Sequence, residues 1–204
     1  MGPLDFVLHF DKYLSDFVRD YGTWVYAILF AIIFAETGFV VTPFLPGDSL
    51  LFAAGAVCAR GDLSLSAMLA LLAFAAFAGN TVNYSVGRYI GPRVFNSSYR
   101  LLNKQHLDRA HAFFESYGGK AIVLGRFVPI VRTFVPFVAG AAQMTRTAFV
   151  SYNTVGAVAW VALCLVAGWF FGNIPMVRNN FSLVTIGIVI VSLLPMLFHV
   201  RADG

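Results

Sequence analysis

Charged residues are what this chain has least of. Lys, Arg, Asp and Glu make up 12% of its 204 residues, hydrophobic ones 59%, and the mean hydropathy is +0.76. A soluble domain carries about a quarter charged residues, so the composition points to a polytopic membrane protein. The net charge of +4 is small and no basic tract stands out, which argues against nucleic acid as a partner. Cysteine is nearly missing. Cys58 and Cys164 stand alone in apolar stretches, match no metal-ligand spacing, and read as packed thiols rather than a bridge. Histidine is as sparse: His106 and His111 miss the i, i+4 spacing that puts two zinc ligands on one helical face. No metal and no cofactor is expected. A basic stretch ahead of an apolar core is also lacking, since the first residues bring Asp5, Asp11, Asp16 and Asp20. No cleavable signal peptide is therefore expected.

What is there is apolar sequence broken by a few costly residues. The stretch 125–140, GRFVPIVRTFVPFVAG, places Arg126 and Arg132 in a segment otherwise fit for a bilayer and interrupts it at Pro129 and Pro136. An arginine at the bilayer centre costs roughly 3 kcal/mol on insertion scales, so it is a functional candidate by default. Broken backbone at that depth is tolerated only inside protein or beside a wet cavity. The pattern predicts a hairpin over about 119–143 that enters the membrane, turns near Pro129–Pro136 and leaves on the side it came from.

A second broken stretch, 23–59, carries Glu36 and then TPFLPGD at 42–48. It is too long for one span. Its limbs, of about 12 to 18 residues, are too short for two, at about 1.5 Å of rise per residue and a core of about 30 Å. A re-entrant helix–turn–helix fits both facts, with Asp48 able to cap the second limb; a tilted span over 23–41 followed by an interfacial loop is the plainer alternative. Full spans are expected at 64–90, 147–172 and 181–200, and amphipathic helices at 4–21 and about 97–118 within the polar stretch 88–120. In the first span, Asn80, Asn83 and Tyr84 read as hydrogen bonds between helices in preference to a translocation path, and its Ala and Gly residues suit close packing.

The order recurs. The chain is read as one all-α integral membrane domain, 1–204, an inverted repeat of amphipathic helix, re-entrant hairpin and spanning helix (about 4–90 and about 97–172), plus one C-terminal spanning helix at about 181–200. Such repeats carry their sites at midplane between broken elements. Lys and Arg accumulate on the cytoplasmic face. Arg88, Arg93, Arg100, Lys104, Arg109, Lys120, Arg146 and Arg201 outweigh Lys12, Arg19, Arg60 and Arg178 on the opposite face. That places the C-terminus in the cytoplasm and the N-terminus outside.

If both hairpin tips meet near midplane, Glu36, Asp48, Arg126 and Arg132 come together. Mutual pairing is then required, and a salt-bridge lattice holding two broken helices is the structural alternative. The functional reading is that the arginine forks grip an anion, most naturally a phosphate, helped by inward helix N-termini. A desolvated carboxylate can carry a proton, so Glu36 and Asp48 would release or compete for the arginines.

The pattern E-T-G-x4-P-x2-P-G-D over 36–48, with G-R-F-x-P-x2-R-T-x2-P-x3-G over 125–140, YSVGRYIGP at 84–92 and SYNTVGAVAW at 151–160, resembles the DedA family of integral membrane proteins across about 20–200. The resemblance implies lipid transport in the bacterial inner membrane. That means movement of undecaprenyl phosphate during carrier recycling, or of phospholipid in other branches, with dependence on the proton gradient. It places the family's important charged positions on Glu36, Asp48, Arg126 and Arg132. Asn80 departs from it, standing where many relatives have Asp. The first reading is thus a non-enzymatic translocase of an anionic lipid, with substrate contacts from Arg126, Arg132, Glu36 and Asp48 and proton coupling through the two carboxylates. The alternatives are a proton-coupled exchanger of small ions or drugs, a phospholipid scramblase, a lipid phosphatase (for which no nucleophile or metal cluster is in sight) and a non-transporting scaffold. A homodimer through small-residue faces stays open.

Overall fold

The computed structural model describes residues 22–39, 47–94, 111–112 and 114–174. All regular structure among them is helical: α1 (Trp24–Gly38), α2 (Gly47–Ala59), α3 (Leu65–Val94), a 3-10 turn (Gly118–Lys120), α4 (Ala121–Leu124), a second 3-10 turn (Gly125–Phe127), α5 (Pro129–Ala141) and α6 (Arg146–Gly172). The expected amphipathic helix at 4–21, the hairpin tip at 42–46, residues 97–110 with His106, and the span at 181–200 lie outside the described residues.

Two helices, α3 and α6, are long and apolar enough to cross a membrane. Both wear apolar side chains outside as well as inside. Phe74, Val82, Val86 and Ile90 on α3 and Val155, Leu163, Val166 and Phe170 on α6 are exposed, a surface that hydrocarbon accepts and water does not. The start of α3 is set by Ser64, whose Oγ accepts the Ala67 N–H at 3.4 Å, while the Ser64 N–H donates to Tyr26 Oη at 2.9 Å. Its end lies four residues beyond the expected span at 64–90: α3 runs on to Val94, since a helix need not stop where its composition turns polar. By contrast, α1 with 15 residues and α2 with 13 rise only about 20 Å each.

The arginine segment is broken once where two breaks were expected. Val128 is extended (φ −112°, ψ 107°) and Pro129 opens α5 at its first position, where the missing N–H would have no partner in any case. Pro136 sits inside α5 without ending it; a proline costs one hydrogen bond, and the buried face from Thr133 to Gly140 holds the remaining turns in place. The helix closes on Gln143 (φ +57°), with Gln143 N–H on Gly140 O at 2.9 Å and Met144 N–H on Ala139 O at 3.0 Å. These are the paired bonds of a Schellman ending. Asp48 falls within the first turn of α2, not at its cap position, and is partly buried there.

The chain divides into two compact units, one of residues 1–28, 46–69 and 162–204, the other of 29–45 and 70–161. In the first unit, α2 and the end of α6 meet backbone to backbone. A Cβ on Gly55 would strike Leu165 O and Trp169 N, and one on Gly168 would strike Phe52 O. In the second unit, α5 and α3 meet in the same manner: a Cβ on Gly140 would strike Tyr84 O and Arg88 N, and one on Gly87 would strike Phe137 O. The second unit also holds an apolar core in which Tyr84 stacks on Phe149 (ring centroids 4.0 Å apart) among Ile122, Phe134, Val135 and Val138.

Candidate functional site

The buried charges described in the second unit, Glu36 and Arg126, line one small cavity. Glu36 and Thr37 reach it from the last turn of α1, and Asn80 from the middle of α3. Arg126 comes from the second 3-10 turn, Arg132 and Thr133 from the start of α5, and Trp160 from α6. Its free volume, traced by the centre of a water-sized sphere, is ≈ 10 Å³, room for about one water. The close approach of α1 to α3 that frames it depends on Gly38 and Gly79: a Cβ on Gly38 would lie 3.4 Å from the Gly79 Cα, and one on Gly79 2.7 Å from Phe34 O.

Arg132 Nη2 donates to Glu36 Oε1, an ion pair whose carboxylate is 4% exposed. Arg126 is equally buried but is held differently. Its Nη2 donates to Asn153 Oδ1 at 2.7 Å and to Ala76 O at 3.3 Å, and its Nε has no hydrogen-bond partner among the described residues. Both guanidiniums stand over the Trp160 ring, with Cζ 6.0 Å from its centroid for Arg126 and 5.5 Å for Arg132. The ring face is the negative pole of its quadrupole and attracts both. Gly156, one turn before Trp160, leaves the space that the Arg126 stem fills; a Cβ there would sit 3.1 Å from Arg126 Cδ.

A web of amides fixes the frame. Asn153 Nδ2 donates to Phe77 O at 3.0 Å and Thr81 Oγ1 at 3.2 Å, and its Oδ1 also accepts from Asn80 Nδ2 at 3.2 Å. Asn83 Nδ2 donates to Thr133 O at 2.8 Å and Thr37 O at 3.4 Å. Tyr84 Oη donates to Met144 O, which Arg88 Nη1 also reaches at 2.9 Å. Asn80 and Asn83 thus bond across helices, and Tyr84 bonds to the connection between α5 and α6.

Of the four charges read from the sequence, Glu36, Arg126 and Arg132 line this cavity. Asp48 belongs to the first unit and is not among the lining residues. Trp160 and Asn153 were not identified as site residues by the sequence reading. The signal was present, since Asn153, Gly156 and Trp160 recur at helical spacing along an apolar helix, and a polar residue there needs an internal partner. No group of His, Cys, Asp and Glu able to hold a metal occurs among the described residues. His111 instead pairs with Glu115 at 3.6 Å with both side chains well exposed.

The VTT domain matches residues 45–170. The chain is 52% identical over 195 residues to Protein DedA of Escherichia coli strain K12, covering 94% of this chain and 89% of that protein. It is 42% identical to an uncharacterized membrane protein of Mycobacterium tuberculosis (87% and 79% covered) and 34% identical to the inner membrane protein YqjA of Escherichia coli (74% and 70% covered). No solved structure matches. The chain belongs to the DedA family of VTT-domain membrane proteins.

Proposed function

We propose that this protein carries an anionic lipid, most naturally undecaprenyl phosphate, across the bacterial inner membrane, with the phosphate taken between Arg126 and Arg132. The observation that carries this reading is the imbalance in the cavity: among the described residues two arginines line it, Arg126 buried and Arg132 partly so, against one carboxylate, Glu36. A buried charge without a counter-charge is expensive, and an incoming phosphate supplies the missing negative charge in the bidentate geometry guanidinium favours. A phosphate is several times larger than the cavity, so docking requires Glu36 to leave Arg132. Protonation of Glu36 is the simplest way to release it, which would couple transport to protons. Asp48 is assigned a second carboxylate role in the same cycle.

The broken elements fit a pair of re-entrant hairpins in inverted repeats, α1–α2 in one and the 118–141 segment in the other. Support comes from the glycine contacts. Phe52 and Gly55 on α2 read like Phe137 and Gly140 on α5, with Leu165, Gly168 and Trp169 on α6 placed as Tyr84, Gly87 and Arg88 are on α3. In each copy the second hairpin limb packs on the long helix of the other copy. The lysine and arginine distribution supports a cytoplasmic C-terminus and a periplasmic N-terminus.

The test is transbilayer movement of undecaprenyl phosphate in liposomes. Wild-type protein moves the carrier, and Arg126→Ala and Arg132→Ala each abolish movement while the protein stays folded. Movement unchanged in both variants would remove the arginines from the mechanism. A proton-coupled exchanger of small ions is the second reading, favoured by the burial of Glu36, and would show proton flux without any lipid phosphate.

A further inference from the structure

Arg126, buried, and Arg132, partly buried, line the same cavity, but the protein treats their charges differently. Arg132 is cancelled by Glu36. Arg126 is bonded to neutral oxygens, Asn153 Oδ1 at 2.7 Å and Ala76 O at 3.3 Å, and its Nε is left over among the described residues. Neutral dipoles satisfy the N–H groups without removing the monopole.

Asn153 is fully engaged. Its oxygen accepts from Arg126 and Asn80, and its nitrogen donates to Phe77 O and Thr81 Oγ1. That uses both donors and both lone pairs of the amide, so a flipped amide would turn its NH2 towards Arg126 and lose bonds on both sides. Aspartate has nearly the same shape, yet in this place it would pair with Arg126 and close the site to other anions.

We propose that Asn153 is a positioning residue that holds Arg126 in place without neutralising it, so that Arg126 receives the first oxygen of an incoming phosphate monoester before Glu36 gives up Arg132. This rests on the phosphate-binding reading above and adds to it the order of capture and the reason for an amide at position 153. Oxygens of a lipid headgroup and of free phosphate share the chemistry that Arg126 recognises.

The experiment uses the full chain in maltoside micelles and titrates dodecyl phosphate, inorganic phosphate and dodecanol, reading tryptophan fluorescence and the thermal midpoint. Wild-type protein binds dodecyl phosphate saturably and ignores dodecanol. Asn153→Asp weakens that binding at least tenfold while its thermal midpoint falls by less than that of Asn153→Leu, because both lose the donor bonds to Phe77 O and Thr81 Oγ1 but only the carboxylate gives the buried guanidinium a partner. A merely structural role would not separate affinity from stability in this way. Binding of inorganic phosphate as tight as that of dodecyl phosphate assigns the site to the free anion and supports the same role for Asn153. Equal affinity in wild type and Asn153→Asp overturns this inference and leaves the phosphate reading standing. No response of the wild type to either phosphate overturns both. If Asn153→Asp fails to fold, Asn153→Ala removes the amide oxygen that positions Arg126 without adding a charge. It too lowers affinity, and unchanged affinity there overturns the inference.

Discussion

Arg126 and Arg132 both stand over the face of Trp160, yet among the described residues only Arg132 is met by a carboxylate, that of Glu36. The site is therefore cationic by construction, in a protein whose long helices present apolar side chains outward. Each expectation below follows from that charge imbalance or from the packing that holds it.

Removing Glu36 strands Arg132. Glu36→Ala is expected to lower stability by about 3–5 kcal/mol, the cost of breaking a buried pair from one side. The double variant Glu36→Gln with Arg132→Gln recovers much of that loss, since neither member of the pair is left charged without the other. Thermal unfolding in detergent measures both. Equal destabilisation of the single and double variants would mean the pair is not what Glu36 contributes.

Trp160 is expected to act through its ring face as well as its volume. Trp160→Leu keeps an apolar filler but removes the quadrupole that faces two guanidiniums, worth about 0.5–2 kcal/mol for each contact. Trp160→Phe retains part of it and should fall between Leu and wild type in thermal midpoint. A Phe variant no better than Leu would count against the cation–π contribution.

Much of this architecture was legible in the chain. The long helix α6 begins within one residue of the expected span at 147–172, and both broken segments were marked by proline and buried charge. Pro136 misled, because a proline says that one hydrogen bond is lost, not whether neighbouring turns are packed well enough to carry the helix through. The end of α3, four residues past the expected one, was missed for a related reason: polar composition marks the end of the hydrocarbon, not the end of a helix. Asn153 stayed hidden because its partners are far away in sequence, on α3 and in the Gly125–Phe127 turn. Spacing along one helix cannot name a partner on another.

The glycine contacts give a third expectation. Gly55→Ala and Gly140→Ala each drive a Cβ into a neighbouring backbone, which cannot rotate away, and overpacking of this kind costs about 1–3 kcal/mol. Both are expected to lose thermal stability to a similar degree. Alanine at both positions with no loss would remove the close helix contacts from the account, and with them the main support for the repeat.

Tyr84→Phe removes one donor from Met144 O and the hydroxyl that accepts from Arg88 Nη1, but leaves the bond from Arg88 to Met144 O in place. The expected loss is about 1 kcal/mol, read as a small drop in thermal midpoint. Arg88→Ala with Tyr84→Phe leaves the carbonyl without either donor and should cost more than the two single changes together.

The most direct measurement is the position of the phosphate itself, located by cryo-electron microscopy of the full chain in nanodiscs supplied with undecaprenyl phosphate. The account predicts headgroup density within hydrogen-bond reach of both Arg126 and Arg132, with the Glu36 carboxylate withdrawn from Arg132. Headgroup density elsewhere, with the Glu36–Arg132 pair intact, would contradict it.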